Sequence, residues 1–467
     1  MINDALRTIL PIAGWPEERA DAVEITGGTD PILPTPFRIT ETSVATLAAI
    51  GLAVSDLWEL RSGRRQRIAI DARQATASLR GGRYLKLNGT TVPSEHDKLM
   101  GMYPARHGRW SYIHTNFPNH RAAALKVLGA AEDRDAVRKA VAQWDAQELE
   151  EAIIAASGAG AMVRSMQEWA QHPQCAAVAS LPLMEIVKIG DSAPEPLPSG
   201  DRPLSGIRVL DLTRVIAGPT GARTLAEHGA DVLKISGAHL PSLGHQDYDT
   251  GHGKLSAFLD LREAGDAGVL RGLARDADVF SQGYRPGALA NRGFSPETLA
   301  QLRPGIVVVS LSAFGHVGPW SSRRGFDTVI QAVSGIGGRQ GELLPGAAPG
   351  PQFYPAAAID FLTGYLMAFG AMVALARRTR EGGSWHVRIS LAQVGRWLVE
   401  RGEVPQAELK GVPKEFAHME LERWSIASDT PMGRLQHLAP VLRLSETPPR
   451  WVRPAVPLGY NEPVWPA

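Results

Sequence analysis

The stretch "AAAIDFLTGYLMAFGAMVAL" runs from Ala356 to Leu375 and contains one charged residue, Asp360. Its apolar length reads as a buried helix, and burying an unpaired carboxylate is costly, so Asp360 needs a reason to be there. One reason is structural: aspartate is a good helix N-cap. The other is chemical: a carboxylate can attack an activated carbonyl and split a difficult transfer into two easier steps. The two are compatible, because the N–H groups at a helix N-terminus stabilise a carboxylate. No HxxxH, HExxH or clustered Cys/His spacing occurs, so the chemistry is expected to use no metal. Cys175, alone in "HPQCAAVA", reads as a buried structural thiol rather than a nucleophile. As the single cysteine it forms no internal disulfide.

The elements that must position Asp360 follow from the hydrophobic pattern. "GIRVLDLTRVIAGPTGARTLAEHGADVLKI" (Gly206 to Ile235) reads as a strand at Arg208 to Leu212, a turn at Gly218 and Pro219, a helix, and a second strand from Asp231. Further strands are read at Asp278 to Phe280 and in "GIVVVSLSAF" from Gly305. Apolar strands alternating with helices mean a parallel sheet covered on both faces. The expected class is α/β: a Rossmann-like, doubly wound parallel sheet in a large domain at 206–400, plus a smaller α+β domain at 85–190. A linker at 191–205 joins them, a Pro-rich segment at 401–467 returns to the large domain, and 1–84 is an N-terminal segment.

Composition sets outer limits. The 467 residues are 44% hydrophobic and 21% charged, with 49 Lys plus Arg against 48 Asp plus Glu. Such balance gives no field that favours nucleic acid or an anionic membrane, and neither is expected as a partner. The apolar run from Phe361 to Ala376 falls short of a span of ~20 residues and is interrupted by Gly364 and Gly370, so it reads as a core helix. "MINDALRTILPIAGW" lacks a basic region followed by an apolar one, and a cytoplasmic location is expected.

A repeat links the two ends of the chain. Val44 to Gln74 aligns with Thr363 to Gln393 at a constant offset of 319, with identities such as Gly51/Gly370, Arg61/Arg380, Gly63/Gly382 and Gln74/Gln393. A helix, a basic Gly turn and a strand recur in one register, so 1–84 carries a truncated copy of the large-domain unit. Glu41 stands at the position of Asp360 and reads as a capping or solvated residue, because no strand–turn–helix start precedes it.

"VLDLTRVIAGPTGARTLAEHGADVLKI", "SAFLDLR", "ADVFSQGYRPGALANRGF", "RRGFDTVIQAVSG" and the Asp360 helix occur in that order. This order resembles the family III CoA transferases, the group that includes formyl-CoA:oxalate and carnitine CoA transferases and α-methylacyl-CoA racemase. "GMYPARHGRWSYIHTNFPNHR" and "EWAQHPQC" look like the family's small domain, here placed before the large one. The resemblance implies that Asp360 is the nucleophile and that coenzyme A enters as an acyl-CoA substrate, with a carboxylic acid as acceptor. It implies Ile216 and Ala217 along the thioester end. It places Leu259, Arg262, Tyr284, Arg285, Arg324 and Phe326 around the nucleotide and pantetheine arm. It also implies an interlocked homodimer, for which the repeated helix offers a swappable element.

Three departures qualify this. Ser236-Gly237 replaces the usual Glu-Arg after "VLKI", and Asn291 replaces an arginine that falls one later, at Arg292. "GFD" (Gly325 to Asp327) replaces the racemase branch's "GHD", and phenylalanine moves no proton. CoA transfer is therefore the expected activity; the alternatives are an acyl-CoA racemase or isomerase and a non-catalytic CoA-binding protein.

Overall fold

The computed structural model describes residues 4–93 and 96–466. The chain opens with α1 (Asp4–Ile9), then a unit of β1 (Val23–Thr26), α2 (Ile39–Ser62), β2 (Ile68–Asp71) and α3 (Ala72–Ser78). After the short strands β3 (Lys86–Leu87) and β4 (Thr90–Thr91) comes an α+β unit. It consists of β5 (Gly101–Pro104), β6 (Trp110–Ile113), α4 (Pro118–Leu128), α5 (Arg134–Val141), α6 (Ala146–Ala155), β7 (Gly160–Met162), α7 (Met166–Ala170) and α8 (Pro173–Ala179). The large α/β part runs through β8 (Glu185–Gly190), β9 (Arg208–Leu212), α9 (Ala217–Glu227), β10 (Asp231–Ser236), α10 (Gly244–Thr250), β11 (Lys254–Phe258) and α11 (Ala264–Arg275). It continues with β12 (Val279–Gln282), α12 (Pro296–Leu302), β13 (Val307–Ser312), α13 (Asp327–Val333), α14 (Ile336–Leu343), α15 (Ala358–Glu381), β14 (Ser384–Ser390) and α16 (Leu391–Glu400). Helix α17 (His418–Trp424) and strands β15 (Ser425–Thr430), β16 (Gly433–Leu438) and β17 (Arg443–Leu444) follow.

The main sheet has the order β11-β10-β9-β12-β13-β14-β8. Its strands from β9 to β14 are parallel and, counted from β9, run 3-2-1-4-5-6, the doubly wound order. The order reverses between β9 and β12, so the loops leaving their C-terminal ends flank the crevice where such sheets take ligands.

A sheet edge exposes unpaired N–H and C=O groups, and the parallel strands are met on both sides by other segments. Strand β8 pairs antiparallel with β14. The end of the 85–190 segment is thus part of the large sheet rather than of the small unit. At the other edge, the Asn461 N–H donates to the Ser256 carbonyl (2.7 Å) and the Ser256 N–H donates to Asn461 Oδ1 (3.0 Å). Residues 86–91 sit elsewhere again, with β15 and β16 in a separate four-stranded sheet.

The repeat is visible in three dimensions. Helices α2 and α15 are both 24 residues long, and each ends at a glycine, Gly63 or Gly382, whose N–H returns to the preceding turn at Glu59 O or Arg378 O. Strand β1 pairs with β2 in parallel, as β13 does with β14, and Ile25↔Ile70 corresponds to Leu311↔Ile389. The equivalence extends beyond the aligned sequence. Gln74 Nε2 donates to Pro440 O and Gln393 Nε2 to Pro182 O, so the segment leading into β17 matches the one leading into β8. A methyl on Gly51 would meet Ile68 and Leu442; one on Gly370 would meet Val387 and Met184. Both helices are apolar and long enough to cross a membrane, but 89% and 100% of their apolar windows are buried inside the fold.

Candidate active site

Asp360 is the third residue of α15 and only 7% exposed. It does not cap its helix. The cap position is Ala357, and the first-turn N–H groups are met from outside: Asp360 N–H donates to Asp327 Oδ2 (3.1 Å) and Ile359 N–H to Tyr354 Oη (3.2 Å). The capping expectation is corrected by these tertiary acceptors, which leave the Asp360 carboxyl free for other chemistry. Asp327 opens α13, is itself buried, and is further held by Gln331 Nε2 and by Tyr354 Oη at 3.5 Å. Burial pushes Asp327 up to about 6. Burial and the charge of Asp327 together raise Asp360 well above the usual carboxylate range. Two carboxyls this close in a dry site cannot both ionise without cost.

The other wall is the start of α9. Gly221 and Gly364 bring the two helix backbones into contact: a methyl on Gly364 would lie 2.3 Å from Ala217 O. The N-terminus of α9 therefore lies within one turn of Asp360, with Ile216 and Ala217 at its first positions. Gly364→Ala is expected to destabilise by about 1–3 kcal/mol, because rigid backbone cannot yield to the methyl; a lower urea midpoint with an unchanged slope is the readout.

The loop before α9 is strained and clamped. Val215 has φ +73°, a conformation rarely taken by a β-branched residue. Asp211 at the end of β9 accepts from Thr213 N–H (3.0 Å), Thr213 Oγ1 and Lys254 Nζ (2.8 Å). Lys254 Nζ also donates to Pro219 O (2.8 Å), and Lys234 Nζ to Thr213 O (3.0 Å). Burial lowers Lys254 to about 8, opposed by Asp211, while Asp211 stays below the ordinary carboxylate range because both lysines outweigh its burial. None of Val215, Asp211, Lys234 or Lys254 was legible as a site residue. Three of them carry a signal, a charge within an otherwise apolar strand, at Asp211 in β9, Lys234 in β10 and Lys254 at the start of β11, whereas Val215 carries none.

The expected nucleotide residues divide into two groups. Arg324 has its guanidinium lowered by burial and then by Arg285, so these two cations face a common region. Among the described residues neither has a carboxylate partner. Leu259 is buried and Tyr284 packs on the same apolar cluster beneath β9 and β12. Arg262, by contrast, is paired with Asp260 (Nε to Oδ1, 2.9 Å) and mostly exposed. Arg292 donates to Leu261 O (2.5 Å), so it does not fill the place of the missing arginine at Asn291. Ser236 lines a small cavity with Phe117, Arg214, Val215, Lys234 and Asp247.

Phe326 lies one residue before Asp327 and stacks on His114 with ring centroids 3.9 Å apart and planes 3° apart. Phe117 and His120 complete the cluster, and the Arg214 guanidinium sits 5.6 Å from the Phe117 ring. Burial drives His114 down to about 3; burial, Arg324 and Arg214 drive His120 down to about 4, so both rings are neutral. The Nδ1 atoms of both are buried without a hydrogen-bond partner. These histidines arrive from the α+β unit, which no sequence spacing connects to Asp327. The Tyr112 hydroxyl, 2.7 Å from Thr328 Oγ1, fixes that unit to α13.

Glu41 occupies the third position of α2, and its carboxylate accepts the Ala5 N–H of α1 (3.1 Å). Asp30, raised to about 6 by burial, accepts the Thr40 and Glu41 N–H groups (2.9 and 2.8 Å). Cys175 is partly buried, its thiol pushed up by burial.

Residues 204–418 match the profile of CoA-transferase family III. Acetyl-coenzyme A transferase nodX of Hypoxylon pulicicidum is 29% identical over 324 residues, covering 64% of this chain and 54% of that protein. An acyl-CoA transferase of Gibberella moniliformis is 28% identical over 415 residues, 76% of this chain and 71% of the relative. The crystal structure of Rv3272 from M. tuberculosis is 29% identical, covers 43% of this chain and 57% of that one, and superposes with a TM-score of 0.40. The chain thus spans about half the length of the first of these relatives. Residues 204–418, a little under half of the chain, are thus similar to CoA-transferase family III.

Proposed function

We propose that the protein moves CoA from an acyl-CoA to a carboxylic acid through covalent intermediates on Asp360. The observation that carries this is the carboxyl of Asp360: buried, not used as a helix cap, paired with Asp327, and within a turn of the α9 N-terminus. Relatives named as transferases of acetyl- and acyl-CoA support the same substrate classes.

The Asp360 carboxylate attacks the thioester carbonyl, the C–S bond breaks, and CoA thiolate leaves a mixed acyl–aspartyl anhydride. The thiolate attacks the aspartyl carbonyl, releasing the donor carboxylate and forming an aspartyl-CoA thioester. The acceptor carboxylate attacks that thioester and regenerates thiolate, which takes the acceptor acyl group as new acyl-CoA and restores Asp360. Arg285 and Arg324 supply unpaired positive charge for the nucleotide phosphates. The α9 N-terminus supplies N–H groups near the charge that develops on the thioester oxygen.

Hydroxylamine added during turnover should trap the acyl-aspartate and leave a mass change on the peptide containing Asp360; an unmodified peptide in an actively exchanging enzyme would sink this reading. The pH dependence gives a second check. The nucleophile acts ionised, and burial with the charge of Asp327 raises Asp360 well above the ordinary carboxylate range, so exchange should already fall well before acidification reaches about 4. An acid limb near 4 would show that the two carboxyls are not coupled.

One observation favours a second reading, proton exchange α to the thioester. His114, a neutral imidazole, is stacked on the phenylalanine that fills the expected histidine position. Incorporation of deuterium at the α carbon in deuterated water, without any acceptor acid, distinguishes it.

A further inference from the structure

We infer that residues 1–84, together with β17, act as a built-in second subunit: they complete the frame around Asp360 in cis, so that one chain forms a whole site. This rests on the reading of Asp360 as the reacting carboxylate.

The chain contains the same frame twice. Each is a parallel strand pair joined by a 24-residue helix, followed by a short helix capped at its first turn by Asp71 or Ser390. Each has an antiparallel edge strand, β17 on β2 or β8 on β14. In each, the helix carries an acid at its third position whose backbone N–H is held by an aspartate from another segment, Asp30 for Glu41 and Asp327 for Asp360.

The two frames differ in what meets the acid. The Glu41 carboxylate receives the N–H of Ala5, so α1 closes the first frame with a piece of the chain itself. Among the described residues no hydrogen bond is made to the Asp360 carboxylate, and α9 lies beside it instead. One frame is plugged and the other is left for a substrate.

The plugged frame holds the open one in place. Leu79 O accepts the Ala357 N–H (3.2 Å), which fixes the residue that starts the Asp360 helix. The Tyr365 hydroxyl, little more than a turn beyond Asp360, donates to Ser78 Oγ (2.9 Å). Asp56, 3% exposed on α2, binds Arg380 of α15 at 2.9 Å and Arg19 at 3.1 Å. From Thr42 to Trp58 and from Ala358 to Ala376 every residue is buried within this one chain. The long helices therefore keep no free face through which a second copy could exchange them. Ser78 and Leu79 are positioning residues for Asp360, supplied from the same polypeptide.

Complementation between two inactive chains decides the matter. One carries Asp360→Asn; the other carries Ser78→Trp, which drives an indole under Tyr365. The two are unfolded together, refolded as a mixture and assayed for CoA exchange. Completion in cis predicts no activity beyond that of the separate variants. Recovery of a quarter or so of wild-type activity, from mixed pairs in which each chain lends its intact half, would overturn the inference. Full exchange by Asp360→Asn alone would instead overturn the functional reading. Should Ser78→Trp fail to fold, wild-type protein still gives an answer by light scattering and dilution. A mass near 50.2 kDa is expected. Exchange per chain should stay constant from ~10 nM to ~10 µM, since nothing then depends on protomer concentration. A doubled mass whose dissociation abolishes exchange overturns the proposal.

Discussion

Replacing Asp360 by asparagine is expected to lower CoA exchange by about 10³-fold or more and, at the same time, to make the protein more stable at neutral pH. On the proposed mechanism the kinetic loss follows because an amide cannot form the anhydride. The gain in stability follows from the raised carboxyls. A carboxyl whose folded-state pKa lies above its unfolded value stabilises the fold below the unfolded pKa, and that contribution is lost as pH rises through the folded pKa. For Asp327 the window runs from 3.8 to about 6, and Asp360 lies in the same direction. Above that window the wild-type protein bears the cost of ionising a crowded pair, which Asp360→Asn removes. Two pKa units correspond to roughly 3 kcal/mol, and relaxation of the site should reduce this to about 1–3 kcal/mol. Thermal melts of the two proteins should converge near pH 4 and separate by pH 7, with asparagine higher. Equal melting temperatures at pH 7 would mean that the pair carries no strain.

The largest loss of stability is expected from Lys254→Met. Lys254 is 2% exposed, and its ammonium holds Asp211 and the Pro219 carbonyl, one on each side of the strained Val215 loop. Removing one partner of a buried ion pair leaves the other charge uncompensated, at a cost of about 3–5 kcal/mol. Adding Asp211→Asn should return part of that loss, since no naked charge remains. The double variant also separates folding from function. With the clamp gone, Val215 is free to leave φ +73°, so kcat should fall further than the recovered stability explains. Identical stability for the single and double variants would show that the pair is not coupled.

What the sequence revealed, and what it hid, follows physical lines. The strands at Arg208, Asp231, Asp278 and Gly305 were legible because parallel strands are apolar on both faces; β11 (Lys254–Phe258), which opens on a lysine and is broken by Ser256, was not. Asp360 stood out because a charge in such a helix is rare. The repeat was legible at Val44 to Gln74 because equal helix lengths keep one register. Its outer parts were not: β1 is four residues of alternating burial, and β17 reaches β2 from the far end of the chain. The role of Asp360 in its helix was misread because the acceptors that relieve it of capping, Asp327 and Tyr354, are brought in by tertiary structure. The left-handed Val215 was invisible for the same reason, since nothing local favours it. The Lys254–Asp211 pair lies 43 residues apart in sequence, and only sheet order makes them neighbours.

The separation of the two long helices has a consequence for synthesis. Helix α2 leaves the ribosome with its apolar surface complete, yet the partner that covers it begins 319 residues later. At ~5–20 residues per second that delay is about 16–64 s. The strand that closes β2 comes later still, at Arg443. For most of its translation the nascent chain therefore carries a sticky, unmatched segment. Slow codons between 84 and 358 would prolong this exposure, and a holding chaperone that recognises Val44 to Leu57 would shorten its hazards.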